Sequence, residues 1–114
     1  MPDPSLGVLT DEGFVILAQI FCAFGQGADG LSIDGSAILA ARHDYTGPIE
    51  RDKEKWSTNA ALVLSLSRAM GKLAAQMAMS EGKITIDATH YRSARAAIHA
   101  VAFCPFFHAR GDAR

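Results

Sequence analysis

Residues 31–42 read LSIDGSAILAAR and residues 84–95 read ITIDATHYRSAR. Set against each other at an offset of 53 residues, Ile33/Ile86, Asp34/Asp87, Ala41/Ala94 and Arg42/Arg95 are identical, while Leu31/Ile84, Ser32/Thr85 and Ser36/Thr89 are chemically close. In each copy an extended segment with an inward-pointing isoleucine leads to an acid that can accept from the open amides of a following helix and favour its dipole. Upstream, Ile16, Leu17, Ile20 and Phe24 fall opposite Ala69, Met70, Leu73 and Met77, so the echo extends into the preceding helices. The chain reads as two helix–link–helix units. The two links, Leu31 to Asp34 and Ile84 to Asp87, can pair as a small antiparallel bridge.

The surrounding helices follow from spacing. Thr10 with Asp11 and Glu12 is a helix start, and Phe14, Leu17, Ile20, Phe21 and Phe24 recur at helical intervals, which predicts a helix over about 10–25 ending at Gly25-Gln-Gly27. A short second helix runs from the first link to about Arg42, and His43-Asp-Tyr-Thr-Gly-Pro48 reads as a loop on its Gly-Pro pair. The longest helix spans about 52–81. Trp56, Ala60, Val63, Ser67, Met70, Ala74 and Met77 form one stripe on it, and Leu62, Leu66, Ala69 and Leu73 a second beside it, so several neighbours pack around it. Gly71 and Ala75 let one of them approach closely. A last helix runs from about 87 to 103 before Pro105.

A chain of 114 residues with 49% apolar content is one domain, 1–114, with 1–9 and 108–114 as loose ends. Net charge is −1 and the pI about 6.4, a balance that does not suit a protein coating nucleic acid or an anionic membrane. The start lacks a secretion signal, and the apolar runs Phe14 to Phe24 and Ala94 to Phe107 fall short of the roughly 20 residues of a membrane span. These features point to a cytoplasmic chain. Cys22 and Cys104 lie in apolar helical patterns and read as buried, reduced thiols, the alternative being a disulfide tying the first helix to the last.

Asp29-Gly-Leu-Ser-Ile33 and Glu81-Gly-Lys-Ile-Thr85 resemble the second half of an EF-hand loop, and Ala28-Asp-Gly30 after an Ala-rich helix is similar to the signature of the TerB-like tellurite-resistance family. The resemblance implies an all-helical fold built of helix pairs. With Gly82 as the loop glycine, the calcium-ligand positions become Met77, Met79, Glu81 and Ala88; with Gly30 there, they become Gly25, Gly27, Asp29 and Ser36. Calcium takes about six or more oxygen ligands, several of them carboxylates, so the loops read as degenerate and no metal or cofactor is expected.

Chemistry-bearing residues concentrate late in the chain. Arg92, Arg95 and His99 lie at steps of three and four and form one basic stripe on the last helix, with His90 near its start. The stripe can be a solvated face, a partner for internal acids such as Asp44 or Glu50, a surface for an acidic protein, or a recognition helix for DNA. Against the last, Glu81 and Lys83 fall where a helix–turn–helix packs apolar residues. The four histidines, His43, His90, His99 and His108, lack the i, i+4 spacing of a helical metal site. His43-Asp44 invites a catalytic reading, but no serine or cysteine stands in a nucleophile setting, and Gly25-Gln-Gly27 with Gly30 has no preceding strand. Phe103, Phe106 and Phe107 around Pro105 are more aromatic surface than the edge of a small domain easily hides, which marks an interaction surface.

The expectation is an all-α domain of four to five helices, in two helix–link–helix units packed around a long central helix. Its function reads as that of a small non-catalytic regulatory or adaptor protein acting as a homodimer through Arg92, Arg95, His99, Phe103, Phe106 and Phe107. A DNA-binding regulator using the same basic stripe is the alternative, and an enzyme with a site near His43 and Asp44 the third.

Overall fold

A computed structural model describes residues 9–98 of the chain. Five helices and two short strands follow one another: α1 (Asp11–Gly27), β1 (Ser32–Ile33), α2 (Gly35–Arg51), α3 (Lys53–Thr58), α4 (Ala60–Ser80), β2 (Thr85–Ile86) and α5 (Ala88–Ile98). The fold is all-α. The first unit is α1–β1–α2 and the second α4–β2–α5; α4 packs on both α1 and α5, and α2 closes the ring by touching α1 and α5.

Local sequence sets each helix start. The Thr10 hydroxyl accepts from Gly13 N at 3.2 Å and begins α1. Glu50, near the end of α2, accepts from Thr10 N at 2.8 Å and from Lys53 Nζ at 3.1 Å, tying that start to the turn between α2 and α3. Burial works to raise the Glu50 pKa, but the Thr10 amide, Lys53 and the Thr10 hydroxyl together hold it below its ordinary value.

The seam between the units is α1 against α4. A methyl added at Gly71 would overlap the Phe24 carbonyl, and one added at Gly27 would overlap the Arg68 carbonyl, so the two backbones meet where only glycine fits. Ala74, Ala75 and Ala78 continue the buried face of α4, and Ile20, Phe24, Met70, Tyr45, Trp56, Ile86 and Tyr91 fill the space between the helices. Tyr45 meets Trp56 edge-on with ring centroids 5.9 Å apart, a favoured aromatic geometry.

The links pair, but in parallel. Ser32 lies opposite Thr85 and Ile33 opposite Ile86, the same offset of 53 that aligns the sequence echo. Ser32 N donates to Ile84 O at 3.2 Å and Asp34 N to Ile86 O at 2.8 Å. The expected antiparallel bridge is therefore corrected. Each link runs in the same sense into a helix, and those helices, α2 and α5, lie against each other with their starts side by side. Ser36 Oγ, in the first turn of α2, even accepts from Ala88 N of α5 at 3.3 Å.

Three further expectations change. Residues 43–48 are helical, because α2 continues through Pro48 to Arg51. An interior proline costs about 3 kcal/mol. Complete burial of Tyr45 and Ile49 on the inner face offsets that at about 1.5–3 kcal/mol per side chain. The Pro48 carbonyl also accepts from Trp56 Nε1 at 3.1 Å. The long helix expected over 52–81 divides at Asn59, whose side-chain amide donates to Lys55 O at 2.8 Å and so closes the short α3. Cys22 is exposed rather than buried, on the outer side of α1; Cys104 lies outside the described residues.

Candidate functional site on the last helix

The second link positions α5. Gly82 turns the chain at φ 75° after α4. Asp87 then accepts from Thr89 N at 2.8 Å and His90 N at 3.3 Å as the cap of α5. His90 completes a reciprocal cap: its Nδ1 accepts from Asp87 N at 3.1 Å, the role a glutamate usually fills three residues into a helix. With Nδ1 an acceptor, the proton sits on Nε2, which donates to Glu81 Oε1 at 2.9 Å. Hydrogen bonds from His90 and then Lys83 hold the Glu81 carboxyl below its ordinary pKa. His90, buried and turned inward, is thus an organiser of the helix start.

One turn later, Tyr91 points into the core and its hydroxyl donates to Asp44 Oδ2 at 2.7 Å. Burial raises the Tyr91 pKa far above that of a free phenol, with the neighbouring Tyr45 and the Asp44 carboxylate acting in the same direction. Arg95 lies on the same acid, with Nε 3.3 Å from Asp44 Oδ2. This three-residue network joins α2 to α5. Sequence reasoning allowed Asp44 as one internal partner for the basic stripe; it missed Tyr91, whose only signal was a tyrosine at an inward position.

The network divides the residues expected to form the site. Arg95 is half-buried and tied to Asp44, whereas Arg92 is exposed and has no ion pair among the described residues. Arg92 borders a shallow groove of about 660 Å³ between α2 and α5, together with Ser36, Leu39, His43 and Asp44. Leu39 is 69% exposed there, and Ile84, 79% exposed, lies beyond Ser36 on an adjoining hollow. The structure thus brings Arg92 and His43 to one surface with two uncovered aliphatic side chains. His99, Phe103, Phe106, Phe107 and His108 lie outside the described residues.

The catalytic alternative gains the groove but little chemistry. His43 Nδ1 is 3.8 Å from Asp44 Oδ1, beyond hydrogen-bond reach, and the other oxygen of that carboxylate faces Tyr91 and Arg95. Ser36, the hydroxyl in the same groove, donates to Asp34 Oδ2 at 2.6 Å, so its proton is directed to a helix cap and not to the imidazole. Among the described residues no three His, Cys, Asp or Glu side chains gather as a metal site requires. No described helix is long and apolar enough to cross a membrane.

Comparison with protein-family models, with curated proteins and with solved structures finds no match to this chain. The class that fold and site define is an all-helical domain of two helix–link–helix units with a mixed apolar and basic face on α2 and α5.

Proposed function

We propose that the protein is a small, non-catalytic regulatory or adaptor protein of the cytoplasm that acts through protein–protein contact as a homodimer. The observation that carries the reading is the division within the basic stripe. Arg95 serves the fold, while Arg92 stands at the surface beside Leu39, with Ile84 and Lys83 on the adjoining hollow, a mixture of cations and bare aliphatic carbon that protein interfaces use. The proposed contact also takes in His99, Phe103, Phe106 and Phe107, on their spacing in the sequence alone. The paired links and capped helix starts support a shape of the TerB-like or degenerate EF-hand kind, with the two units as an internal repeat.

The same division weighs against duplex DNA as the partner, since one of the two arginines of the stripe is already paired with Asp44. The test replaces Arg92 alone, because Arg95→Ala would break the Asp44 network and confuse binding with folding. Arg92→Glu with Leu39→Ser is expected to leave the helical circular dichroism unchanged and to abolish self-association in sedimentation. Salt-sensitive retention of the wild-type protein on duplex DNA, lost in Arg92→Ala, would instead establish the nucleic-acid reading.

A further inference from the structure

The imidazole of His90, 2% exposed, sits among groups that fix its proton. The Asp87 N–H can only donate, so at 3.1 Å it holds Nδ1 as an unprotonated acceptor, and Nε2 carries the proton given to Glu81 Oε1 at 2.9 Å. The neutral ring therefore uses both nitrogens. A second proton has one place to go, Nδ1, whose lone pair is the acceptor that the Asp87 amide needs. Asp87 Oδ1 lies 3.2 Å from that same nitrogen. The ring is thus within reach of an amide that requires it neutral and of a carboxylate that suits it charged.

We propose that the start of α5 is a proton-operated mount: a proton taken up from solvent at His90 Nδ1 exchanges the hydrogen bond from Asp87 N for an ion pair between Nδ1–H and Asp87 Oδ1. The ring gains one positive charge, its Nε2–H stays on Glu81 and becomes a charge-assisted donor, and the Asp87 amide loses its acceptor. The cap is weakened a second time, because Asp87 Oδ1 also accepts from Thr89 N at 2.8 Å and His90 N at 3.3 Å. The imidazolium competes with these amides for one oxygen. The reciprocal cap is complete only while the ring is neutral.

The charges around the ring come from three directions. Glu81, at the end of α4, also meets Lys83 Nζ at 3.1 Å; held below its ordinary pKa, it stays ionised through the range in which histidines change charge, about pH 5–8. Asp87 comes from the link, and β2 within it, Thr85–Ile86, has no group that titrates in that range. The third element, α2, brings Asp44, whose carboxylate is taken by Tyr91 and Arg95. Tyr91 and Arg92 directly follow His90, so the mount that the proton loosens is that of the surface arginine. The inference stands apart from the partner reading, since its signals are local to the ring and to the Asp87 amide.

The test titrates the full ¹⁵N-labelled chain from about pH 8 to about pH 5, following imidazole nitrogens and backbone amides together. At the alkaline end His90 is expected with Nδ1 bare and Nε2 protonated. On acidification Nδ1 should gain its proton, the Asp87 and Thr89 amides should shift with the same midpoint, and hydrogen-exchange protection at Asp87 N should fall by about two- to tenfold. His90→Gln offers an oxygen that can accept from the Asp87 amide but cannot titrate. It should keep the helical signal and the Asp87 protection seen at about pH 8 and abolish the transition, which a merely structural histidine would not explain. The wild-type titration decides the matter by itself if that variant does not fold. Nδ1 already protonated at about pH 8, a ring that stays neutral down to acid unfolding, an Asp87 amide that keeps its protection while His90 titrates, or a transition that survives in His90→Gln would each overturn the proposal.

Discussion

The two links share a backbone plan and differ in what their side chains do with it. In the first, Asp34 accepts from Ser36 N at 3.0 Å and from its hydroxyl, and Ile33 remains partly exposed beside it. In the second, Asp87 and His90 cap each other, His90 reaches on to Glu81, and Ile86 is fully buried. The first link is a helix cap at the surface. The second is a cap anchored in the core, and it sets the start of the helix that carries Tyr91, Arg92 and Arg95. The lesson is that one extended segment followed by an acid can serve as a surface cap or as a rigid mount, according to which polar residue the first helical turn supplies. Serine at the second helical position ties the first cap to the start of α5 through Ala88 N, whereas histidine at the third position lets the second bridge back to the end of α4.

The largest effect should fall on the seam that both units share. Gly71→Ala is expected to cost more than about 3 kcal/mol in denaturant unfolding, because the new methyl meets a helix carbonyl that cannot move aside. Gly25→Ala, on the same pair of helices but facing open space, should instead gain up to about 1 kcal/mol. Equal losses at the two sites would show that the helices are not in backbone contact.

The next pair compares the links at one register position. Ile86→Ala should cost about 2–3 kcal/mol, and Ile33→Ala less than half as much, since only Ile86 is wholly enclosed. Losing either cap acid should cost about 1 kcal/mol. Asp87→Ala should exceed Asp34→Ala, because it leaves two amides of the helix start, those of Thr89 and His90, without their acceptor, where Asp34 serves one, that of Ser36. Matching losses in both pairs would remove the distinction between surface cap and core mount.

Much of this architecture was legible in the residues. The offset that aligns Ile33 with Ile86 is also the pairing register, because the same isoleucine–acid sequence leads each link into its helix. The close approach at Gly71 was visible as a small residue, with Ala75, beside the apolar stripes of the long helix. What escaped was decided by packing between distant parts. Gly47-Pro48 carries a strong local signal for a loop, yet burial of Tyr45, Thr46 and Ile49 draws α2 through it. Strand direction depends on how α2 and α5 lie together, which no local pattern encodes. In the candidate site, spacing placed Arg92 and Arg95 on one face of the helix, but only the position of Asp44 on another helix separates the structural arginine from the surface one.

The smallest predicted effect is on pH dependence. Glu81 has a folded pKa below its ordinary value, so its contribution to stability is fully present above the usual carboxylate range, about pH 4, and is lost as the pH falls through the lowered folded value. The stability difference between wild type and Glu81→Gln, followed by urea unfolding, should therefore shrink as the pH is lowered from about 6 to about 3. A difference that stays constant would mean that the Glu81 charge does not support the His90 mount.

The most direct measurement of the central claim is the mass of the purified full chain in solution across a wide concentration range, taken for wild type and for Arg92→Glu/Leu39→Ser. Protein contact through the α2–α5 face and the aromatic segment predicts a wild-type species of twice 12.1 kDa that falls to 12.1 kDa in the variant with its helical signal intact. A wild-type chain that remains at 12.1 kDa at every concentration, or a variant that associates as well as wild type, would contradict it.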